Sequence, residues 1–357
     1  MHALGAGYLR AGHEFLMIVP GDSDTDHLTP FGRRVTVRSP VLPLSGGYRV
    51  ITRLGHVRSI IQGFDPHALE VSDRTTLRGL GAWSRKLGVP STFFAHERAD
   101  GVIRANLPRW LPGVLPVEAM ANRHNRGTAQ RFTTIVCTTA YAAREFDRIG
   151  IPVATVPLGV DLEQFHPQKA SMEVRAKVAS QAEALLFMAS RLSPEKEPQI
   201  AIDAVRALAT RGIAVRLLSA GTGSLDTQMR ARAADLPVTF LGFVADREEF
   251  STLLASADVV LAPGPIETFG LAALEALASG TAVVVNAASA LPEVVGDAGI
   301  AADGTGEAFA DAIETLLARD PEQRRAAARA RAETMPWSAT VARMLELHAQ
   351  GKETALR

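Results

Sequence analysis

The chain holds a single cysteine, Cys137, in 357 residues. That excludes a disulfide framework and fits a reducing compartment. The residue lies in TTIVCTT, a β-branched run where a thiol packs as a small apolar group rather than acting as a nucleophile. No stretch of about 18 apolar residues occurs, so nothing in the sequence reads as a membrane span. The opening residues MHALGAGYLRAGHE lack the apolar centre of a signal peptide, and a cytoplasmic protein is the resulting expectation. No G-x-G-x-x-G opens a helix after a strand, which argues against a nicotinamide dehydrogenase. Net charge is also absent, because 38 Lys and Arg balance 38 Asp and Glu.

The balance is uneven along the chain. Residues 1–155 carry 19 Arg and Lys against 12 Asp and Glu, a net of +7, and the remainder carries −7. Solvated faces explain such a split, and so does a first half that meets an anionic partner, whether a phosphorylated acceptor or an acidic membrane surface. Nothing in the pattern points to nucleic acid. Apolar residues make up 47% and charged residues 21%, as in a soluble globular protein, and the length suits two domains.

The second half alternates short apolar runs with helical patterns. EALLFMAS, AVRLLSAG, VTFLG, DVVLAPG and TAVVVNA read as strands, and segments such as PQIAIDAVRALATRG between them read as helices. That alternation implies βαβ crossovers and a parallel sheet covered on both faces, a Rossmann-like doubly wound domain. The first half repeats the theme less cleanly, with candidate strands EFLMIVPG, ALEVSD, STFFAH and TTIVCTT. The domains expected are 1–155, 156–335 and a last helix at 336–357 packing back towards the first domain. The segment PRWLPGVLP (108–116) has three prolines and reads as an irregular surface loop in which Trp110 either dips into a membrane interface or packs on its own domain. DSDTD (22–26) has the letters of a metal-binding pair but reads as a solvated turn.

Ligands of open α/β sheets bind beyond the carboxyl ends of the strands. After LLFMAS, the loop RLSPEKEP presents Arg191 and Lys196, two cations suited to a diphosphate or simply a solvated basic loop. After AVRLLSAG, the glycines of GTGS (221–224) allow either close backbone approach to a ligand or only a tight turn. After DVVLAPG comes PIETFGLAALEAL. Its residues 268–271 are expected to open a helix, with Glu267 just ahead of it as an acceptor for sugar hydroxyls. Glu275 falls two turns later on nearly the same face and needs a hydrogen-bonding partner among Ala and Leu neighbours, a need that a ribose diol would meet. Two unrelated glutamates are the plainer alternative.

With these features together, the sequence resembles a retaining family-4 glycosyltransferase of GT-B fold over nearly its whole length. The resemblance rests on PLGVDLEQFHP, RLSPEK, VTFLGFV, ETFGLAALEALASGTAVV and MPWSATVARMLEL. It implies two Rossmann-like domains facing across a cleft. It also implies that Glu267 holds donor hexose hydroxyls, that Phe269, Gly270 and Leu271 offer backbone near the sugar and phosphates, and that Glu275 binds the ribose. Arg191 and Lys196 would hold the diphosphate, and Val244 would contact the base. His96, at the end of STFFAH, matches a family histidine near the reacting sugar, which makes His96 and Glu267 the candidate catalytic residues, although a lone histidine is more often structural. AHERADGVI, VCTTAYAAREFDRIG and ALEVSDRTTLRGLG are most similar to actinobacterial GDP-mannose-dependent phosphatidylinositol mannoside mannosyltransferases. That implies a GDP-mannose donor, a lipid or glycan acceptor and peripheral contact at the inner face of the plasma membrane. No metal site is implied, with Mg2+ at most a stimulant of electrostatic catalysis. Relatives open with a strand and a Gly-Gly loop before the first helix. This sequence has neither, so either its start is placed too late or its site lacks a part, with reduced stability and activity expected. UDP-glucose or UDP-N-acetylglucosamine as donor, a polysaccharide or natural-product acceptor, a nucleotide-sugar epimerase and an inactive sugar-nucleotide-binding remnant are the competing readings.

Overall fold

The computed structural model describes residues 1–42, 49–105, 115–179 and 183–355. Trp110 lies outside the described residues. The chain divides into two compact units, one of residues 1–138, 142–157 and 337–357, the other of residues 139–141 and 158–336. Both are α/β, and together they make the two Rossmann-like domains of a GT-B protein.

The first unit holds β1 Leu16–Gly21, β2 Thr25–Thr29, β3 Gly32–Arg38, β4 Leu69–Val71, β5 Ser91–Ala95, β6 Thr134–Cys137 and β7 Ala154–Thr155. They form two sheets, in the orders β1-β3-β2 and β4-β5-β6-β7. All neighbours are parallel except β2 and β3, which form an antiparallel hairpin. Both sheets feed one core, in which Val35, Val37, Val71, Phe93 and Ile135 meet. Cys137 sits in that core, where burial pushes its thiol up to about 12 and removes it as a nucleophile. The DSDTD stretch is more than a solvated turn. Asp24 accepts the Arg38 backbone N–H at 2.7 Å and pairs with Arg53, while Asp26 forks onto Arg33 at 2.7 and 3.0 Å. These carboxylates staple the hairpin together.

The second unit carries β8 Ala184–Ala189, β9 Val215–Ala220, β10 Val238–Gly242, β11 Val259–Ala262, β12 Ala282–Asn286 and β13 Gly299–Ala302. Its single sheet is parallel throughout, in the order β10-β9-β8-β11-β12-β13. Apolar residues on successive positions serve opposite faces. Leu185, Phe187 and Val260 pack on one side with the helix Leu271–Ala278, and Leu186, Met188, Val259 and Leu261 pack on the other with the helices Gln199–Thr210 and Gly306–Leu317. A strand buried on both faces therefore reads as a continuous apolar run. Strand order reverses between β8 and β11, and such a switch point leaves a crevice at the carboxyl ends of the two central strands.

Two helices of the first unit, His2–Arg10 and Trp337–Ala355, pack where Gly7 meets Val341; a Cβ built on Gly7 would lie 2.3 Å from Val341 Cγ2. Replacing glycine by alanine inside a helix ordinarily gains about 1 kcal/mol. Here overpacking, at about 1–3 kcal/mol, opposes that gain against a stiff β-branched neighbour. Gly7→Ala should therefore lower the thermal midpoint by calorimetry, and adding Val341→Ala should recover most of the loss. A midpoint raised by Gly7→Ala alone would show that the two helices do not pack as described.

Candidate active site

The loops after β8 and β11 meet at the switch point. The first runs through Arg191 and a short 3-10 turn at Pro194–Lys196, and the second through Pro263, Gly264 and Glu267. Lys196 Nζ donates to Glu267 Oε1, and both side chains are largely covered, 20% and 27% exposed. Two predicted site residues, 71 positions apart in sequence, are thus brought into direct contact. Arg191 is turned outward. It is 67% exposed and pairs with Glu195 at 3.1 Å, so the two cations of this loop do not converge on one point.

The second loop is held from behind. Asn286 Nδ2 donates to the Pro263 carbonyl at 2.8 Å, and the Ala290 N–H donates to the Glu267 carbonyl at 2.9 Å. The helix itself begins at Leu271, with Gly270 as its N-cap at φ +76. A Cβ at Gly270 would also lie 2.2 Å from Leu291 Cδ2, so both backbone angle and space require glycine there. Phe269 is 4% exposed and anchored in the core, whereas Leu271 is partly exposed. The Phe-Gly pair is therefore an anchor followed by a turn, and the turn aims the first N–H groups of the helix at the switch point. A cavity of about 30 Å³ lies at this mouth, bounded by Ser190, Gly264, Glu267, Gly270 and Leu291.

Glu267 stands outside the helix, so the helical spacing that placed it on one face with Glu275 does not apply; the left-handed Gly270 interrupts the period. Glu275 is 16% exposed in the second turn and has the partner its surroundings demand, Arg247 Nη2 at 3.0 Å. Arg247 follows β10 and lies over the Phe165 ring, 4.8 Å from its centroid. No local spacing in the sequence announced Arg247, because it sits 28 positions from its partner. Val244, on the same loop, packs partly buried against the core, while its neighbour Phe243 is 78% exposed. Burial raises the Glu275 carboxyl above its ordinary value, and Arg247 only partly opposes this.

The glycines of GTGS serve packing. A Cβ on Gly221 would lie 2.0 Å from the Ser190 carbonyl, and one on Gly223 2.2 Å from that of Leu192. The loop is pressed against the segment after β8, with hydrogen bonds of 3.1 Å from the Leu192 N–H to Thr222 O and 2.9 Å from the Leu225 N–H to Leu192 O.

His96 belongs to the first unit, exposed just past β5, with its ring 3.4 Å from the Phe94 carbonyl. The segment that follows is fixed by a buried network that sequence reading missed. Glu145 accepts the Ala99 and Asp100 N–H groups at 2.7 and 2.8 Å and also binds Asn125, which in turn accepts from buried Arg74. Among the described residues no group of three His, Cys, Asp or Glu is placed to hold a metal ion.

Comparison with known proteins places these features in context. Residues 172–333 match the family model of Glycosyl transferases group 1, and residues 1–164 match Glycosyltransferase Family 4. The chain is 46% identical, over 345 residues, to the GDP-mannose-dependent alpha-(1-6)-phosphatidylinositol dimannoside mannosyltransferase of Mycobacterium tuberculosis, covering 96% of this chain and 89% of that protein. It is 33% identical over 252 residues to the D-inositol 3-phosphate glycosyltransferase of Thermomonospora curvata, covering 62% and 57%. Among solved structures, the sucrose-phosphate synthase of Thermosynechococcus elongatus aligns over 97% of this chain and 91% of its own, with a TM-score of 0.74 at 20% identity. Anabaena HepE, crystallised with UDP-glucose, aligns over 98% and 94% with a TM-score of 0.70 at 18% identity.

A raised carboxyl makes a pH prediction with a definite sign. The folded state favours protonated Glu275, so its ionisation takes away stability as pH rises from the ordinary value of 4.5 through the raised one, and the cost persists above that. Glu275→Gln removes the cost and strands only Arg247, which is 58% exposed and loses little. In urea unfolding, the stability difference, variant minus wild type, should grow from pH 5 to pH 8. A flat or shrinking difference would contradict the assignment of Glu275 as a covered carboxylate.

Proposed function

The chain belongs to the family-4 glycosyltransferases, and from that premise we propose that it transfers mannose from GDP-mannose to a phosphatidylinositol mannoside, retaining the anomeric configuration. The observation that carries this reading is the meeting of Lys196, Glu267 and a helix start at the switch point of the second unit's sheet. A diphosphate that gains charge as the sugar departs is stabilised best where a cation and oriented N–H groups already point. The sugar and acceptor are supported by the relation to the mycobacterial mannosyltransferase.

In the proposed reaction the bond between the mannose anomeric carbon and the diphosphate oxygen breaks, and a bond to the acceptor hydroxyl oxygen forms on the same face. The acceptor's proton passes to the departing phosphate oxygen. Lys196 is assigned to the diphosphate, which Arg191 joins by leaving Glu195 and turning inward, and Glu267 to the hexose hydroxyls together with the backbone of Phe269, Gly270 and Leu271. Glu275 is assigned to the ribose and the Val244 loop to the base. The role proposed for His96 is contact with the hexose. No bound metal takes part in this scheme, and Mg2+ is at most a stimulant. No helix among the described residues is long and apolar enough to cross a membrane, and peripheral contact of the basic first half with anionic lipid is the proposed route to the acceptor.

The test is to incubate the enzyme with phosphatidylinositol dimannoside and, in turn, labelled GDP-mannose, UDP-glucose and UDP-N-acetylglucosamine. An α-linked mannosyl product from GDP-mannose alone is expected, read by mass and anomeric NMR coupling. A β-linked product, or equal use of a UDP-sugar, would overturn the proposal. Glu267→Gln should cut turnover by about 10²-fold or more while unfolding as cooperatively as the wild type.

A further inference from the structure

The first unit carries a larger pocket that shares no residue with the site above. It has a volume of about 840 Å³ and lies between the start of the helix Gly79–Lys86 and the helix Val117–Ala129. Arg78, Arg123, Arg126 and Arg131 line it together with His124 and Met120, and among the described residues no Asp or Glu does. Among the described residues none of the four arginines has an ion-pair partner; Glu118, on the same helix, pairs instead with Arg148 at 3.5 Å.

The arrangement is organised as well as basic. Arg78 Nη1 donates to His124 Nδ1 at 2.8 Å. A guanidinium only donates, so the ring must accept there, and His124 is held neutral. Burial, and then Arg78, Arg74 and Arg131, hold its pKa down at about 4. Arg131 Nη1 donates to the Gly127 carbonyl. A Cβ built on Gly127 would lie 3.1 Å from Arg131 Nη1 and 3.9 Å from Arg78 Nη2, so two guanidinium groups converge over a residue without a side chain. Burial and the nearby Arg131 both disfavour the charge on Arg78. Like charges drawn together with no carboxylate between them raise the free energy of the pocket until an anion enters.

All four fixed charges are arginine. Its planar fork matches paired oxygens on one atom, as phosphate presents them, better than a point charge does. The exposed Arg123 and Arg126 widen the rim beyond what a single small anion would need. We propose that this pocket is a second anion site that binds a phosphate ester, gripped between Arg78 and Arg131 with Arg123 and Arg126 on the flanking group. The phosphate is that of a lipid headgroup or of a soluble ester. This assignment does not depend on the donor or the reaction proposed above.

The experiment uses the full chain, the rim variant Arg123→Gln/Arg126→Gln, and Arg131→Gln, with Lys196→Gln as a control for phosphate bound at the switch point. In one arm, glycerophosphoinositol is titrated calorimetrically. In the other, the protein is floated with phosphatidylcholine vesicles that contain phosphatidylinositol or, at equal surface charge, a fatty acid. The proposal expects binding in at least one arm, weakened about tenfold or more in both pocket variants and unchanged by Lys196→Gln. Loss confined to the calorimetric arm identifies a soluble ester, and loss confined to phosphatidylinositol vesicles identifies a lipid. Pocket variants that bind like the wild type in both arms, no binding in either arm, or no calorimetric binding together with equal retention on fatty-acid vesicles would each overturn it. Matching far-ultraviolet spectra and thermal midpoints confirm that the variants are folded, and the rim pair, being exposed, keeps the test decisive if Arg131→Gln is unstable.

Discussion

The contact between Lys196 and Glu267 joins the two loops that diverge at the centre of the second unit's sheet. Each loop continues a strand buried on both faces, so its starting point is fixed by the core. Rigidity is added from behind, by Asn286 on Pro263 and by the Ala290 N–H on Glu267. Gly270 then turns the chain into a helix whose first N–H groups share the same mouth. A cation, a carboxylate and a helix start are brought together and held by three separate segments, those that follow β8, β11 and β12, none of which forms a site alone. Electrostatic catalysis depends on such prior placement, because groups that need not reorganise stabilise developing charge most effectively.

The proposed donor residues are matched with partners of opposite charge, Lys196 with Glu267 and Glu275 with Arg247. The pocket of the first unit has the reverse character, with four arginines and no acid among its lining residues. On the proposed assignments, a paired site and an unpaired one serve different ligands. The former can exchange internal partners for the hydroxyls and phosphates of a neutral-plus-anionic molecule, and the latter calls for a net anion. Four of the 19 basic residues before position 155 thereby share one location.

Much of this was legible in the sequence. Strands buried on both faces announce themselves as unbroken apolar runs, as ALLFMA and AVVVN do. The need of Glu275 for a partner followed from its Ala and Leu neighbours alone. Polar strands were less visible. The hairpin of TDHLT and GRRVTVR is held by Asp–Arg pairs rather than by apolar alternation, and it escaped a reading based on hydrophobic period. Arg247 and the Arg74–Asn125–Glu145 network were hidden because their partners lie 20 to 51 positions apart. The spacing of Glu267 and Glu275 misled in one respect, since a left-handed glycine between them ends the helical arithmetic. The GTGS glycines read either as a ligand cradle or as a tight turn, and what the structure adds is their close packing on the segment after β8.

The central claim is that the two glutamates serve different parts of one nucleotide sugar, Glu275 the ribose and Glu267 the hexose. Calorimetric titration of GDP and of GDP-mannose into Glu267→Gln and Glu275→Gln tests it most directly. Glu275→Gln should weaken both ligands by a similar factor, while Glu267→Gln should leave GDP affinity close to that of the wild type and weaken GDP-mannose alone. If both variants weaken both ligands equally, or if Glu275→Gln spares GDP, the division of labour between the two carboxylates is wrong.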